Sequence, residues 1–286
     1  MDNNFFYNGM LSGSSILCGM LSGHLLMENI KMEKQRTNNS YFNISKKFYK
    51  RGFNGYISGF IPWGVLLGFG KGFIVGAVSK KIEHNISDVN ISNDNKQIIK
   101  GISTGIFESL YMNPIMMARA KTNEFITSSS YYKKNILKQS FRILNTTINK
   151  NGIKSIYSGV QLLALRRSID WSSRFYFIHK FQNFILKKNE LEELSLFQRF
   201  YTTAIGSAIT TPFSTPIDRI LPILYTSDNY KKTIKKIKFN IKENGIGRTF
   251  FSGLVMRAIS TGYYTTFLLF VPYIINNNLY KKKDFI

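Results

Sequence analysis

Four charged residues stand in the middle of one long apolar segment, and this feature limits what the chain can fold into. The stretch RRSIDWSSRF lies between the apolar runs GVQLLAL and YFIHKFQNFI. In a helix, Arg166, Asp170 and Arg174 share one face, with Arg167 and Trp171 beside it. Each charge costs roughly 2.5–3.5 kcal/mol at the centre of a bilayer, and a leucine or isoleucine returns only about 0.3–0.6 kcal/mol. The segment therefore crosses a membrane only if its charges face a wet cavity; the alternative is a soluble helix with a solvated arginine face.

Three pairs of glycines divide the chain into thirds. The segments GFNGYISG, GIKSIYSG and GIGRTFFSG each open a long apolar run, and they end at Gly59, Gly159 and Gly253. Before each segment an apolar run ends in a related motif, HLLMENIKMEKQ, MNPIMMARAKTN or STPIDRILPILY. Internal repetition of this kind indicates one structural unit per copy. We predict one integral domain made of three repeats, at 1–93, 94–188 and 189–286.

The apolar runs predict an all-α membrane protein with six transmembrane helices, two in each repeat. Runs of about 20 residues match a bilayer core of about 30 Å, and strand signals are sparse. Small residues four apart, such as Gly101 and Gly105, allow two helices to approach closely in a membrane. A short amphipathic helix is expected between the two long helices of each repeat, around 42–50, 135–149 and 231–242.

The chain is strongly basic. Its 39 lysines and arginines against 16 acids give a formal charge of +23, which favours an anionic partner. Nucleic acid, an acidic membrane surface and a small anionic substrate all satisfy this condition. A nucleic-acid-binding protein is the rival interpretation from another class, but it does not account for long apolar runs with arginines at their centres. We therefore expect a small anion and lipid as partners, and no nucleic acid.

The sequence offers no catalytic or metal-binding constellation. Cys18 is the single cysteine, and the three histidines, His24, His84 and His179, are far apart. Neither a disulfide framework nor a Cys/His metal site is expected from this pattern. Nucleophile elbows, phosphate-binding glycine loops and HExxH motifs are missing from the sequence. We predict a protein that is not an enzyme and that uses neither a metal nor a cofactor.

The threefold pattern resembles the mitochondrial carrier family. In that family a Pro-x-acid-x-x-base motif ends each odd-numbered helix, and a glycine-bounded segment opens each even-numbered helix. The citrate–oxoglutarate branch is the most similar: its second helix has an Ile-Pro-Trp and then a lysine, its fourth has arginine and tryptophan, and its sixth has an arginine. The corresponding residues here are Ile61-Pro62-Trp63 and Lys71, then Arg166, Arg167, Trp171 and Arg174, then Arg257. Leu67 departs from the branch, which has an acid at that position.

The resemblance implies a substrate site formed by Lys71, Arg166, Arg167 and Arg257, with Trp171 and Arg174. Guanidinium groups suit di- and tricarboxylates because they donate paired hydrogen bonds to a carboxylate. The implied protein is a monomeric, multi-pass antiporter of the mitochondrial inner membrane that exchanges citrate for 2-oxoglutarate or a related dicarboxylate by alternating access. Cardiolipin is expected to bind at the segments that end at Gly159 and Gly253. Repulsion between the cations of the empty site is expected to favour exchange over uniport. A carrier of another small organic anion and a degenerate carrier fold that no longer transports are the alternatives.

The resemblance also implies two gates. On the matrix side the gate positions are Glu28, Lys31, Met116, Arg119, Asp218 and Leu221. Two ion pairs are expected there, Glu28 with Arg119 and Asp218 with Lys31, and an apolar contact takes the place of the third. On the cytoplasmic side the positions are Ser79, His179 with Gln182, and Tyr273 with Asn276. No acid occupies these positions, so that gate is expected to close by hydrogen bonds rather than by ion pairs.

Overall fold

The computed structural model describes most of the chain as helix. The described residues are 3–24, 26–28, 30–31, 34, 40–50, 64–128, 141–142, 145–149, 152–189, 194–227 and 230–283. The helices are α1 (Asn3–Gly19), α2 (Tyr41–Lys50), α3 (Val65–Asn85), α4 (Asn93–Ser128), α5 (Val160–Asn189), α6 (Leu196–Ile209), α7 (Thr211–Ser227), α8 (Tyr230–Phe251) and α9 (Leu254–Lys283). These ranges contain no strand. The prediction of an all-α chain is therefore confirmed for the residues that the structure describes.

The long helices form a closed ring. Within each third of the chain, α1 packs against α3, α4 against α5, and α6 against α9. The contacts of α3 with α4, of α5 with α6 and α7, and of α9 with α1 join these pairs to one another. Six helical rods therefore surround one central space, with α6 and α7 together forming the fifth rod.

Two of the rods are interrupted. The first continues from α1 into a π-helical turn, Met20–His24, in which Gly23 has non-helical backbone angles. The fifth is divided at Thr210 into α6, with 14 residues, and α7, with 17. Pro212 lies in the first turn of α7, where its missing N–H leaves no helical hydrogen bond unmade. The expectation of six long helices is therefore wrong for the fifth rod, which consists of two shorter ones.

Glycines with positive φ mark the start of the fourth and the sixth rods. Gly152 and Gly159 have φ values of 74° and 80°, and Gly245 and Gly253 have values of 73° and 85°. Residues with a Cβ are strained in this region, so the backbone itself requires glycine at both ends of each segment. The first glycine-bounded segment, 52–59, lies outside the described residues, as do Ile61, Pro62 and Trp63.

Short helices lie beside the ring near the positions expected from the sequence. α2 buries Ile44 and Phe48 against Ile30, while Phe42 on its other face is exposed. α8 includes the expected range 231–242. Of the remaining expected helix, residues 145–149 are helical, and 135–140 lie outside the described residues.

The ring carries its charges inside and large apolar side chains outside. Glu108, Arg167 and Arg174 are buried, with exposed fractions of 0, 5 and 2%. By contrast, several apolar side chains of the ring helices expose more than half of their surface, among them Phe107, Leu165, Phe213 and Val255. Soluble proteins have the opposite arrangement. Exposed apolar surface of this extent marks contact with lipid or with another protein.

One helical stretch of the described residues, Lys231–Asn276, is by length and composition able to cross a membrane. It combines α8 with most of α9. The charges of α5 lower its hydropathy although they face the interior of the ring, so composition alone does not recognise such a helix as a span. The six membrane spans and the three repeats stay a prediction.

Candidate functional site

Two glycines bring α4 and α5 together at the level of the charged stretch. A Cβ added to Gly105 would lie 2.5 Å from the backbone carbonyl carbon of Arg167, and one added to Gly101 would overlap the backbone of Ser172. The pair of small residues noted in the sequence therefore lies at a close helix contact. Three residues after Gly105 comes Glu108, which faces the same neighbouring helix because residues i and i+3 share a helix face.

Glu108 is the centre of a first polar cluster. Its Oε1 lies 3.1 Å from Arg167 Nη1 and 3.8 Å from Lys71 Nζ, and Trp171 Nε1 donates a hydrogen bond to Oε2. Lys71 Nζ also lies 3.7 Å from the centroid of the Tyr264 ring, which is a cation–π geometry. Glu108 and Trp171 have no exposed surface. The cluster therefore joins α3, α4, α5 and α9 through buried charges.

A second polar cluster runs across α5, α7 and α9. Arg174 Nη2 lies 2.9 Å from Asp170 Oδ2, one turn earlier on α5. Ser214 Oγ donates a hydrogen bond to Asp170 Oδ1 at 3.0 Å and accepts one from Arg257 Nη2 at 2.7 Å. The hydroxyl of Ser214 thus links the charged face of α5 to the arginine of α9.

Asp218 of α7 binds two arginines at once. Its Oδ1 lies 2.6 Å from Arg166 Nη2, and its Oδ2 lies 2.6 Å from Arg257 Nη1. The predicted pair of Asp218 with Lys31 is therefore wrong in this structure. The reason is the helix register: Asp218 comes four residues after Ser214, so both side chains share the face of α7 that meets the site.

A cavity of about 150 Å³ inside the ring is lined by Asp170 and Asp218 of the second cluster and by Lys71 and Arg167 of the first, while Glu108 is buried behind these lining residues. Five of the six residues that the resemblance assigns to the substrate site line this cavity: Lys71, Arg166, Arg167, Arg174 and Arg257. The sixth, Trp171, is fully buried and supports the lining residues, since its ring lies 4.4 Å from the Arg174 guanidinium. A cavity of this volume accommodates a small molecule.

The wall of the cavity carries hydrogen-bond donors that lack acceptors. Nε and Nη1 of Arg166, Nε and Nη1 of Arg174, and the hydroxyl of Tyr264 are buried and find no partner among the described residues. Leaving one buried donor unsatisfied costs roughly 1–3 kcal/mol, and more if the group is charged. An anion with several oxygen atoms offers acceptors of the kind that these donors lack.

The five cations assigned to the site have carboxylate partners, but the charges do not cancel. Each cation lies within 3.8 Å of a carboxylate, and Glu108, Asp170 and Asp218 supply these groups. Five positive minus three negative charges leave an excess of two. The expectation of an empty site governed by repulsion between bare cations is therefore wrong. The remaining excess still attracts a negatively charged ligand.

Glu28 and Lys31 lie together at one end of the cavity. Lys31 Nζ donates to both carboxylate oxygens of Glu28 at 2.8 Å. Ser260 Oγ donates to Glu28 Oε1 at 3.1 Å and lies 3.2 Å from His24 Nδ1. The side chain of Arg119 lies outside the described residues, so its pairing with Glu28 stays a prediction.

Met116 and Leu221, the expected apolar gate pair, belong to one hydrophobic cluster. Leu221 is buried in it with Met112 and Leu163, and Met116 packs against the same cluster. An apolar pair leaves no charge stranded when one partner moves. This arrangement is compatible with the expected replacement of an ion pair by an apolar contact.

The opposite end of the ring is held partly by ion pairs. Asp94 lies 2.6 Å from Lys180 Nζ and 4.0 Å from His179 Nε2, and Glu83 lies 3.3 Å from Lys100 Nζ. The expectation of hydrogen bonds instead of ion pairs is therefore wrong at this end. The acids come from the end of α3 and the start of α4, outside the positions used for the prediction, and Asp94 is also favoured by the N-terminus of its helix.

The gate residues expected at that end do not form one set of contacts. His179, Gln182 and Tyr273 line a second cavity, of about 250 Å³. Ser79 is buried and donates to a carbonyl of its own helix at 3.4 Å. Asn276 accepts a hydrogen bond from Tyr7 at 3.1 Å, which joins α9 to α1.

Sequence analysis missed three residues that complete the site. Glu108 had a usable signal, because it is an acid inside the apolar run GISTGIFESLYMNP. The argument made for the arginines of α5 applies to it equally: a charge in such a helix faces the interior. Ser214 and Tyr264 are uncharged, and no sequence signal separates them from the other serines and tyrosines of the chain.

Comparison with known proteins identifies similar sequences among mitochondrial carriers. Residues 94–189 match the family model described as mitochondrial carrier protein. The citrate/oxoglutarate carrier protein of Saccharomyces cerevisiae is 25% identical over 200 residues, which are 68% of this chain and 63% of that protein. The matched region thus spans less than two thirds of the relative's length. The chain is therefore similar to mitochondrial carrier proteins, by the family model over residues 94–189 and by one carrier protein over 200 residues.

Proposed function

We propose that the chain is an antiporter that exchanges citrate for 2-oxoglutarate or a related dicarboxylate by alternating access. The observation that carries the proposal is a cavity inside the ring lined by Lys71, Arg166, Arg167, Arg174 and Arg257, which pair with three carboxylates and whose guanidinium groups include N–H donors without acceptors. Guanidinium donors bind carboxylates strongly and with defined geometry. The name of the yeast relative, a citrate/oxoglutarate carrier, supports the choice of anions.

The proposed location is the mitochondrial inner membrane, crossed by the six rods of the ring. Support comes from the inverted surface, with buried charges and exposed apolar side chains such as Phe107 and Val255. The proposed protein is monomeric. Cardiolipin is proposed to bind before α5 and α9, where Gly159 and Gly253 precede helix N-termini that favour phosphate groups.

In the proposed mechanism the substrate competes with Asp218. Substrate carboxylates bind the free donors of Arg166 and Arg174 and then take the place of Asp218 on Arg166 and Arg257. A ligand shifts a conformational equilibrium only through its different affinity for the two states. Here the difference arises because, besides the two arginines that it releases, Asp218 interacts electrostatically with Lys31 of the first rod. Substrate binding thereby changes which helices the carboxylate of α7 connects.

Reconstitution into liposomes with a panel of labelled anions tests the function. We expect uptake of citrate and of 2-oxoglutarate that depends on either anion inside the vesicle. Arg166→Ala and Arg167→Ala should each lower the exchange rate at least about tenfold, because each removes one of two cations paired with a buried carboxylate and removes donors to the substrate. Arg142→Ala removes an exposed arginine and should behave like the wild type.

The panel also separates the alternatives. Exchange of another small anion without citrate would assign a different substrate to the same site, and the apolar Leu67 on the cavity wall is the feature that favours this alternative. Folded protein that exchanges no anion of the panel would instead favour a carrier fold without transport. Full activity of either arginine variant would remove that arginine from the site.

A further inference from the structure

We infer that Glu108 sets the charge of the transported anion: its fixed carboxylate adapts the site to a dianion, so that citrate is carried in its doubly charged form. The inference rests on the proposed function and specifies the form of its substrate. It concerns a residue that belongs to no gate and that the sequence analysis did not assign.

Glu108 is a constant part of the site rather than a group that the ligand displaces. Its side chain has no exposed surface. Arg167 and Lys71 form ion pairs with it, and Trp171 donates a hydrogen bond to it. Gly105 keeps α4 against α5 one turn earlier. Asp218 differs, because 14% of its side chain is exposed and it borders the cavity. Glu108 therefore contributes its negative charge whether or not a ligand is bound.

The charge of the cavity wall determines which ligand charge it encloses most easily. The five cations and their three carboxylate partners, of which Glu108 is buried behind the lining residues, leave an excess of two positive charges. Leu67 of α3 lines the cavity and adds no charge, and Glu28 and Lys31 at its end pair with each other. Enclosing an uncompensated charge of either sign is unfavourable. A bound dianion compensates the two excess positive charges completely. Both 2-oxoglutarate and monoprotonated citrate are dianions.

The charged groups around Glu108 come from three helices. Lys71 faces it from α3, and Tyr264 faces it from α9. Arg167 contacts it from α5, the helix that also carries Asp170 and Arg174. His24 lines the same cavity farther away, at the Glu28 end. Its protonation affects the wild type and the variants alike, so differences between variants isolate the contribution of Glu108.

Three variants form a series of site charges. Glu108→Gln raises the excess of positive charge at the site from two to three, and Lys71→Gln lowers it to one. The double variant restores an excess of two. The glutamine oxygen still accepts the hydrogen bond of Trp171, so the shape of the cluster is kept. We expect the KM for 2-oxoglutarate divided by the KM for citrate to rise about tenfold in Glu108→Gln. The ratio should fall in Lys71→Gln and return to the wild-type value in the double variant.

The dependence on external pH gives a second readout. Near neutral pH citrate is a mixture of dianion and trianion, whereas 2-oxoglutarate stays a dianion. Citrate uptake relative to 2-oxoglutarate uptake should therefore fall with rising pH in the wild type and rise in Glu108→Gln. Glu108→Asp keeps the charge and should keep the wild-type trend at a lower rate. Asp88→Asn, which removes an exposed carboxylate between α3 and α4, should match the wild type in both readouts.

A purely structural role of Glu108 gives a different result. Glu108→Gln would then slow both substrates equally and leave the pH trend unchanged, which overturns the inference. If Glu108→Gln does not fold, Lys71→Gln still has to shift the preference away from citrate. An unchanged preference, or a shift toward citrate, in that variant contradicts the inference. Wild-type protein that exchanges neither anion contradicts the proposed function itself, and the inference falls with it.

Discussion

Trp171 is a fully buried residue whose polar group points at the buried carboxylate of Glu108 on α4. Its indole N–H donates to Glu108, and its ring supports the Arg174 guanidinium. Trp171→Phe keeps the aromatic packing but leaves Glu108 short of a donor. We expect a loss of about 1–3 kcal/mol of stability, measured as a lower thermal unfolding midpoint in detergent. Tyr49→Phe, at a residue that is 88% exposed, should leave the midpoint unchanged; an equal shift in both variants would contradict the role of the hydrogen bond.

Single residues of the site were predictable to different degrees. Lys71, Arg166 and Arg257 were found because a cation within an apolar helix is conspicuous and because the motif pattern located them. The partners of these cations were not found. Asp218 was assigned to Lys31 from the position of its motif, but the choice between several cations within reach depends on distances of a few ångströms between helices. No pattern along one helix contains that information.

The contact between α4 and α5 depends on glycine at one level of the ring. A Cβ at Gly105 would lie 2.5 Å from the Arg167 backbone, so Gly105→Ala has to separate the two helices and with them Glu108 and Arg167. We expect a cost of about 1–3 kcal/mol from overpacking and loss of most anion exchange. Gly247→Ala is the matched control, because a Cβ there meets nothing within 4 Å. That variant should keep its exchange rate, and wild-type exchange by Gly105→Ala would show that the close contact is dispensable.

At the scale of helices, the sequence predicted elements better than their interruptions. The paired glycines at the start of α5 and α9 were recognisable because positive φ favours one residue type. The division of the fifth rod at Thr210 was not recognisable from the three prolines that follow it, since proline is equally compatible with the first turn of a helix and with a kink. Which of these occurs depends on how the neighbouring rods pack.

The ring buries several charged side chains in its interior and exposes large apolar ones, and neighbouring residues of α4 illustrate this. Glu108 is buried, whereas Phe107 is 52% exposed. Phe107→Lys should cost about 2.5–3.5 kcal/mol if this surface faces the bilayer core. We expect a smaller fraction of the protein in the carbonate-resistant membrane pellet. Phe42→Lys, on the exposed face of α2, should leave that fraction unchanged, and equal insertion of both variants would argue against a lipid-facing α4.

The interruption at Thr210 separates two parts of the fifth rod, and their side chains contribute to two different cavities. Arg199 and Thr203, before the interruption, line the second cavity. Ser214 and Asp218, after the interruption, bind Arg257 and Arg166 at the first cavity. A continuous rod would transmit any tilt from one mouth of the ring to the other. An interrupted rod need not, so in the proposed transport cycle the helix at one end of the ring can tilt while Ser214 and Asp218 keep their contacts.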